Sequence, residues 1–273
     1  MPSPSDPVAF RLLGLGVRWY AIFILVGILA GVWLVRTLAR HRGMDPDFPL
    51  DAAPWVVLAG IVGARLYYIL LRWDYFAANP AQAINLRLGG LTIHGALAAG
   101  IPMLAYLCRR ANQRFLAWTD LIIPGVALAQ AIGRWGNWAN QEAFGTPTDL
   151  PWAVAIDPSR RPDAYADAAR FHPTFLYESL FNLANAAFLS WLALRFPHNR
   201  HLREGDVLWS YCILYGTARL IIERIRTDSL YIGPLPAAYW LSIALIAFGI
   251  SMLVLRRTPW RRRFRQPAQT RAD

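Results

Sequence analysis

The sequence predicts an all-α polytopic membrane protein with about seven transmembrane helices, the N-terminus outside and the C-terminus cytoplasmic. Three observations carry this reading. Of the 273 residues, 56% are hydrophobic, and the mean hydropathy is +0.29, too apolar for a water-soluble domain of this size. The apolar residues fall in stretches of about 20, the length a helix needs to cross the hydrocarbon layer. Arginines collect after alternate stretches, as they do in cytoplasmic loops. In a soluble chain, a net charge of +11 would point to nucleic acid. Here the loop bias accounts for the charge, and no nucleic-acid partner is expected.

Taken in order, the first span runs from about Trp19 to Leu38 and ends in Arg36, Arg40, His41 and Arg42. The second, about Pro54 to Leu71, carries Arg65, and a loop with Asn79-Pro80 follows. The third, about Leu88 to Leu107, ends in Arg109, Arg110 and Arg114. The fourth runs from Leu116 to about Trp138, and the fifth from about Pro173 to Leu194, before Arg195, Arg200 and Arg203. The sixth covers about Asp206 to Arg226, and the seventh about Pro236 to Leu255. The basic clusters after the first, third, fifth and seventh spans lie on one side, which is therefore cytoplasmic. The outer loops are not free of arginine, since Arg72, Arg87, Arg160 and Arg161 fall there.

The chain reads as a single membrane domain, residues 1–273, with two appendages. Ala143 to His172 is polar and holds Pro147, Pro151, Pro158 and Pro162. It reads as a small outer head with a short strand near Trp152 to Ile156. Residues 258–273 form a basic cytoplasmic tail suited to lie near anionic lipid. Cys108 and Cys212 lie at inner ends of spans with no metal-ligand spacing, and no disulfide is expected. The first 16 residues lack a basic segment ahead of an apolar core, so no cleaved signal peptide is expected.

The most informative stretch closes the fourth span: Gly133-Arg134-Trp135-Gly136-Asn137-Trp138-Ala139-Asn140-Gln141-Glu142. A membrane helix carries such polar residues at a cost of a few kcal/mol unless they face a wet or protein-lined cavity. Gly133 and Gly136 lie about one turn apart, and Asn137 and Asn140 continue their face. Small residues with polar glue also describe an ordinary helix contact. In the sixth span, Tyr215, Arg219, Glu223 and Arg226 form one stripe at i, i+4, i+8 and i+11. His94 enters the third span from outside, Arg65 lies at similar depth, and Arg18-Trp19-Tyr20 opens the first span there. The topology thus gathers several arginines at the outer ends of the spans with few acids among them. A buried arginine needs an anion, and in a membrane the available one is a lipid phosphate. Plainer readings exist for each residue: a hydrogen-bonding His94, a structural Arg219–Glu223 pair, and Trp135 and Trp138 as interfacial anchors.

At these residues the chain resembles the prolipoprotein diacylglyceryl transferase family. The resemblance covers nearly the whole chain. It runs through Arg18-Trp19-Tyr20, Gly63-Ala64-Arg65-Leu66, His94-Gly95, the Gly133 to Gly145 stretch, His172-Pro173-Thr174-x-Leu176-Tyr177-Glu178 and Arg219-x-x-x-Glu223-x-x-Arg226. Ala96 departs from a usual glycine, Trp138 from phenylalanine, Gln141 from glycine and Phe175 from glutamine. None of these departures removes a charged residue of the motifs.

The resemblance implies an enzyme of the bacterial plasma (inner) membrane, with its site toward the outer leaflet. Such an enzyme moves the sn-1,2-diacylglyceryl group of phosphatidylglycerol to the thiol of a lipobox cysteine in a secreted precursor, and glycerol phosphate leaves. The implied partners are phosphatidylglycerol, prolipoprotein signal peptides and membrane lipids, with no cofactor and no metal. The expected catalytic residues are His94, Arg134, Arg219 and Glu142. The expected substrate-binding residues are Tyr20, Arg65, Gly133, Gly136, Asn137, Asn140, Gly145, Glu223 and Arg226. Negative charge grows on the departing phosphate, and fixed guanidiniums in a poorly hydrated site stabilise it. The substrate supplies the nucleophile, so a base is needed. An imidazole takes a proton near neutral pH, which favours His94, and Glu142 is the alternative.

Other classes fit less well. A transporter or channel would mark a polar path through both leaflets. A retinal protein needs a lysine, and the sequence has none. A metal-dependent headgroup transferase would carry clustered aspartates within its spans. A lipid-binding or transport protein on the same frame remains the alternative function.

Overall fold

The computed structural model describes residues 1–4, 6–12, 15–85, 89–195, 199 and 201–258. The expected tail beyond residue 258, and Arg87 and Arg200, lie outside the described residues. In chain order the elements are strands β1 (Val8–Leu12) and β2 (Leu15–Arg18), then helices α1 (Trp19–His41), α2 (Phe48–Leu71), α3 (Trp73–Ala78), α4 (Ile93–Arg110) and α5 (Phe115–Asn140). Strands β3 (Val154–Ala155) and β4 (Arg170–Phe171) follow, then α6 (Thr174–Arg195), α7 (Asp206–Glu223), strands β5 (Tyr231–Ile232) and β6 (Leu235–Pro236), and α8 (Ala237–Leu255).

Each of the seven apolar stretches is helical. Of these helices α1, α2, α5 and α8 are long and apolar enough to cross a membrane. The 18-residue α4, the 22-residue α6 and the 18-residue α7 are less apolar on average. Several limits differ from those the sequence predicts, the widest at α2, which begins at Phe48 rather than Pro54. Helix α4 begins at Ile93 rather than Leu88, where Thr92 Oγ1 caps it by accepting from Gly95 N at 3.3 Å. Helix α7 ends at Glu223, so Arg226 lies in the turn beyond and not on the helical stripe.

Small residues let the helices meet, as expected where lipid removes the hydrophobic drive between them. In the α1–α5 pair, a methyl group added at Gly31 would sit 2.8 Å from the Gly125 carbonyl oxygen, and one at Gly125 would sit 2.7 Å from that of Gly31. In the α7–α8 pair the same close approach places Gly249 against the Trp209 carbonyl. Gly63 and Gly95 bring α2 onto α4.

A buried carboxylate fixes the start of α7. Asp120 on α5 is fully buried and accepts from Gly205 N at 2.6 Å, Val207 N at 3.1 Å and Leu208 N at 3.2 Å. It thereby satisfies the N–H groups that a helix start leaves open, from a neighbouring helix. The apolar cluster around Trp118, Leu121, Leu189 and Val207 packs at this end.

Between α5 and α6 the chain makes two short strands and two 3₁₀ turns over a small core of Phe144, Val154, Ile156, Phe171 and Phe175. The strand near Trp152 to Ile156 is two residues long, Val154–Ala155. Trp135 and Trp138 pack against this core, with ring centroids 5.9 Å apart and Trp135 5.5 Å from Phe175. The β1–β2 and β5–β6 hairpins, α3 and the 3₁₀ turn Pro80–Ile84 are elements that the sequence reading leaves as loop. Each is six residues or shorter, too brief for periodicity to register.

Candidate active site

The last turns of α5, the first turns of α6 and the end of α7 meet at one carboxylate, Glu178, whose side chain is 6% exposed. Arg134 from α5 forms an ion pair with Glu178 Oε2. Arg219 from α7 reaches Glu178 Oε1 through Nη1 at 3.2 Å, and Arg226 approaches the same oxygen at 3.5 Å. Arg219 Nη2 also pairs with Glu223 Oε2 at 2.7 Å, one turn along α7. Beyond the helix, Arg226 presents Nε and Nη2 to Asp228 Oδ1 and Oδ2 at 2.9 and 2.7 Å, a two-point fork. Three guanidiniums thus face the three carboxylates of Glu178, Glu223 and Asp228. The expectation that few acids lie among these arginines is corrected, because the chain supplies three carboxylates as counterions.

A second layer surrounds Arg134. Its Nη1 donates to Asn137 Oδ1 at 3.3 Å. Asn137 Nδ2 and Asn140 Nδ2 both donate to Glu142 Oε1, at 2.9 and 3.2 Å. Glu142 is therefore held by the two asparagines, while Arg134 turns to Glu178. The two glycines of this stretch differ. A methyl group at Gly136 would sit 2.5 Å from Tyr20 Cδ2, so the glycine admits the Tyr20 ring, whereas at Gly133 nothing lies within 4 Å. Gly145 is pinned between two segments, donating to His172 O at 2.9 Å and bridging to Arg226. Thr227 Oγ1 donates to Phe144 O at 3.2 Å and fastens the turn after α7 to the same loop. Tyr215 lines a small cavity with Glu178, Asn182 and Arg219, of about 10 Å³, room for one water at most.

His94 and Arg65 sit together on the α2–α4 pair. The His94 ring is exposed and lies 6.2 Å from that of Tyr67. Arg65 is buried, and its guanidinium donates to five backbone oxygens: Gln82 at 2.7 Å, Ala83 at 2.8 Å, Asn85 at 3.0 Å, Gly89 at 2.8 Å and Gly90 at 3.4 Å. Neither residue joins the Glu178 network in any described contact.

Sequence reasoning passes over Asp228, and it names Glu178 only within the motif that begins at His172, with no role in the site. A signal for Glu178 existed, since it is an acid inside an apolar stretch, and such residues mark functional positions in membrane helices. Asp228 gave no such signal, because an aspartate in a loop is ordinary. A third feature is a chain of hydrogen bonds at the start of α6. Trp152 Nε1 donates to the Tyr177 hydroxyl at 3.0 Å, and that hydroxyl lies 3.1 Å from His172 Nδ1.

Comparison with known proteins identifies the family of the chain. The model of the family described as prolipoprotein diacylglyceryl transferase matches residues 7–255. Proteins named phosphatidylglycerol–prolipoprotein diacylglyceryl transferase are similar along nearly their whole length. The one from Synechococcus elongatus is 44% identical over 253 residues, 92% of this chain and 87% of its own. That from Acaryochloris marina is also 44% identical, over 93% of this chain and 90% of its own. That from Finegoldia magna is 40% identical over 91% and 95%. With a family model spanning almost the entire chain and relatives this similar, the chain belongs to the prolipoprotein diacylglyceryl transferase family.

Proposed function

We propose that this protein transfers the diacylglyceryl group of phosphatidylglycerol to the lipobox cysteine of prolipoproteins. The observation that carries the reading is the convergence of Arg134, Arg219 and Arg226 on one side of a helical membrane protein. A lipid headgroup phosphate suits such a cluster, because guanidinium forks match pairs of phosphate oxygens. The substrate thiol attacks the glyceryl carbon. A carbon–sulfur bond forms, the carbon–oxygen bond to phosphate breaks, and its electron pair leaves with glycerol phosphate. The thiol proton passes to a base. Arg134 and Arg219 stabilise the charge on the departing phosphate where water is scarce. Nearby positive charge also favours the thiolate over a free thiol with pKa about 8.5.

The remaining residues support these roles. His94 is the proposed base, because both asparagine amides already engage Glu142. Asn137, Asn140 and Glu142 orient Arg134, and Glu223 orients Arg219. Tyr20 and Gly136 close one wall, Gly133 leaves open space for lipid, and Gly145 fixes the loop that holds Arg226. Arg65 shapes the site at a distance, through the loop before α4.

The proposal extends to topology. All seven long helices cross the bacterial inner membrane, with the N-terminus and the residue 143–172 head outside and the tail inside. The arginine cluster then faces the outer leaflet, where precursors emerge and phosphatidylglycerol is at hand.

The test is direct. Purified protein is incubated with phosphatidylglycerol and a lipobox peptide, and the peptide is weighed by mass spectrometry. A diacylglyceryl increment, absent when the peptide cysteine is serine, establishes transfer. No increment, with phosphatidylglycerol still bound, favours a lipid-binding or transport protein on the same frame.

A further inference from the structure

We propose that Asp228 is an exchangeable counterion: it occupies the fork of Arg226 in the absence of substrate and yields it to the phosphate group of the lipid. The inference rests on the functional reading above and adds a residue to it.

In this structure each arginine of the cluster already has an internal partner. Every guanidinium faces an internal carboxylate or amide, and the cavity beside Glu178 and Arg219 is about 10 Å³. A phosphodiester that takes the two-point fork of Arg226 must displace the carboxylate already in it. The three carboxylates differ in what displacement would cost. The side chains of Glu178 and Glu223 are 6% and 2% exposed and stand on helices, so separation from their partners would leave a buried, unpaired charge. The Asp228 side chain is 49% exposed and lies in the turn after α7. Rotated away from Arg226, it is hydrated again at once.

Geometry points the same way. Arg226 Nε and Nη2 hold the two oxygens of Asp228 at 2.9 and 2.7 Å. Two oxygens of a phosphate fit the same fork. Arg226 need not move when Asp228 departs. Its backbone is bridged to Gly145, Thr227 is bonded to Phe144, and Nη1 keeps its approach to Glu178. The site thus has a fixed guanidinium and a mobile anion that resembles the ligand. The counterion keeps the Nε–Nη2 fork of Arg226 occupied between turnovers, and it competes with both substrate and product.

The experiment compares wild-type full-length protein in detergent with Asp228→Asn and Asp228→Ser. Asparagine keeps the shape and removes the charge, and serine guards against an amide that binds in its own way. Three quantities are read: KM for phosphatidylglycerol, inhibition by sn-glycerol 1-phosphate and by inorganic phosphate, and binding of phosphatidylglycerol against phosphatidylcholine in mixed micelles. Both variants should lower KM and tighten phosphatidylglycerol binding about tenfold, the scale of one lost competing charge. Glycerol phosphate inhibition should strengthen in step. Strengthened inhibition by inorganic phosphate without tighter lipid binding would assign the fork to free anions and overturn the lipid assignment. A raised or unchanged KM in both variants, at unchanged thermal stability, would make Asp228 a static brace and overturn the proposal. The binding arm separates this failure from failure of the transferase reading. A wild type that binds phosphatidylglycerol without turnover still reports whether removing the Asp228 charge tightens binding.

Discussion

Arg65 and Arg226 are two largely buried arginines with opposite arrangements. Arg65 donates to five backbone carbonyls of residues 82–90, and none of those partners can leave without unmaking the loop. Arg226 spends its donors on carboxylates, one of them half exposed. Carbonyls are dipoles and leave the charge of Arg65 formally unmatched, so the guanidinium works as a bracket. Carboxylates match charge with charge, and an anion of equal reach can replace them. The sequence shows two arginines at similar depth. The bonding partners separate a structural arginine from one that can receive a ligand.

The largest expected effect falls on the carboxylate-bound arginines. Arg134→Lys and Arg219→Lys keep the charge but lose the planar fork. Each should lower kcat/KM for transfer about 10²- to 10³-fold, the usual effect of removing a donor that faces developing negative charge. Thermal stability should change little, since lysine still neutralises Glu178. An unaltered rate in Arg134→Lys would remove two-point contact from the mechanism.

His94→Gln comes next and tests which side of the comparison His94 belongs to. As base, its loss should lower the rate about 10²-fold and flatten the pH dependence of what remains. Near-normal activity across pH would place His94 with Arg65, as part of the α2–α4 framework, and would return the base role to Glu142.

Arg65→Lys should give the converse profile. A lysine offers three donors where five carbonyls now accept, leaving at least two unsatisfied at about 1–3 kcal/mol each. The variant should unfold several degrees lower in detergent, while the folded fraction keeps its kcat. A collapse of kcat at unchanged stability would instead mean that Arg65 touches substrate.

The uneven legibility of the sequence has the same physical origin as this comparison. Apolar length is a property of consecutive residues, so seven helices could be read from composition alone, with ends correct to a few residues at α1, α5 and α8. The Gly133 to Glu142 stretch stood out because polar groups are costly within an apolar run. What could not be read were partnerships across elements. Glu178 gathers arginines from α5, from α7 and from the turn beyond it, and nothing local to Glu178 says so. The stripe from Tyr215 to Arg226 was extended one turn too far, because periodicity does not mark the Glu223 stop. Asp120 was missed because its partners are backbone N–H groups, which every residue has.

The smallest predicted effect concerns Gln141, where a glycine is usual in the family that the sequence resembles. Gln141 ends α5 with φ 52°, a left-handed conformation that disfavours a side chain by about 1–2 kcal/mol. Its amide offsets the strain: Nε2 donates to Asp157 Oδ2 at 2.9 Å, and Oε1 accepts from Asp157 N at 2.8 Å. Gln141→Gly relieves the backbone and loses both bonds, each worth about 0.5–1.5 kcal/mol net. The two changes nearly cancel, so the variant should unfold within about 1 kcal/mol of the parent. The compensation shows in a double-mutant cycle. Asp157→Ala should destabilise the parent by about 1 kcal/mol and have almost no effect beside glycine at 141. Equal effects in both backgrounds would mean that Asp157 stabilises the 143–172 segment through other contacts, and that the left-handed turn tolerates glutamine without help from its side chain.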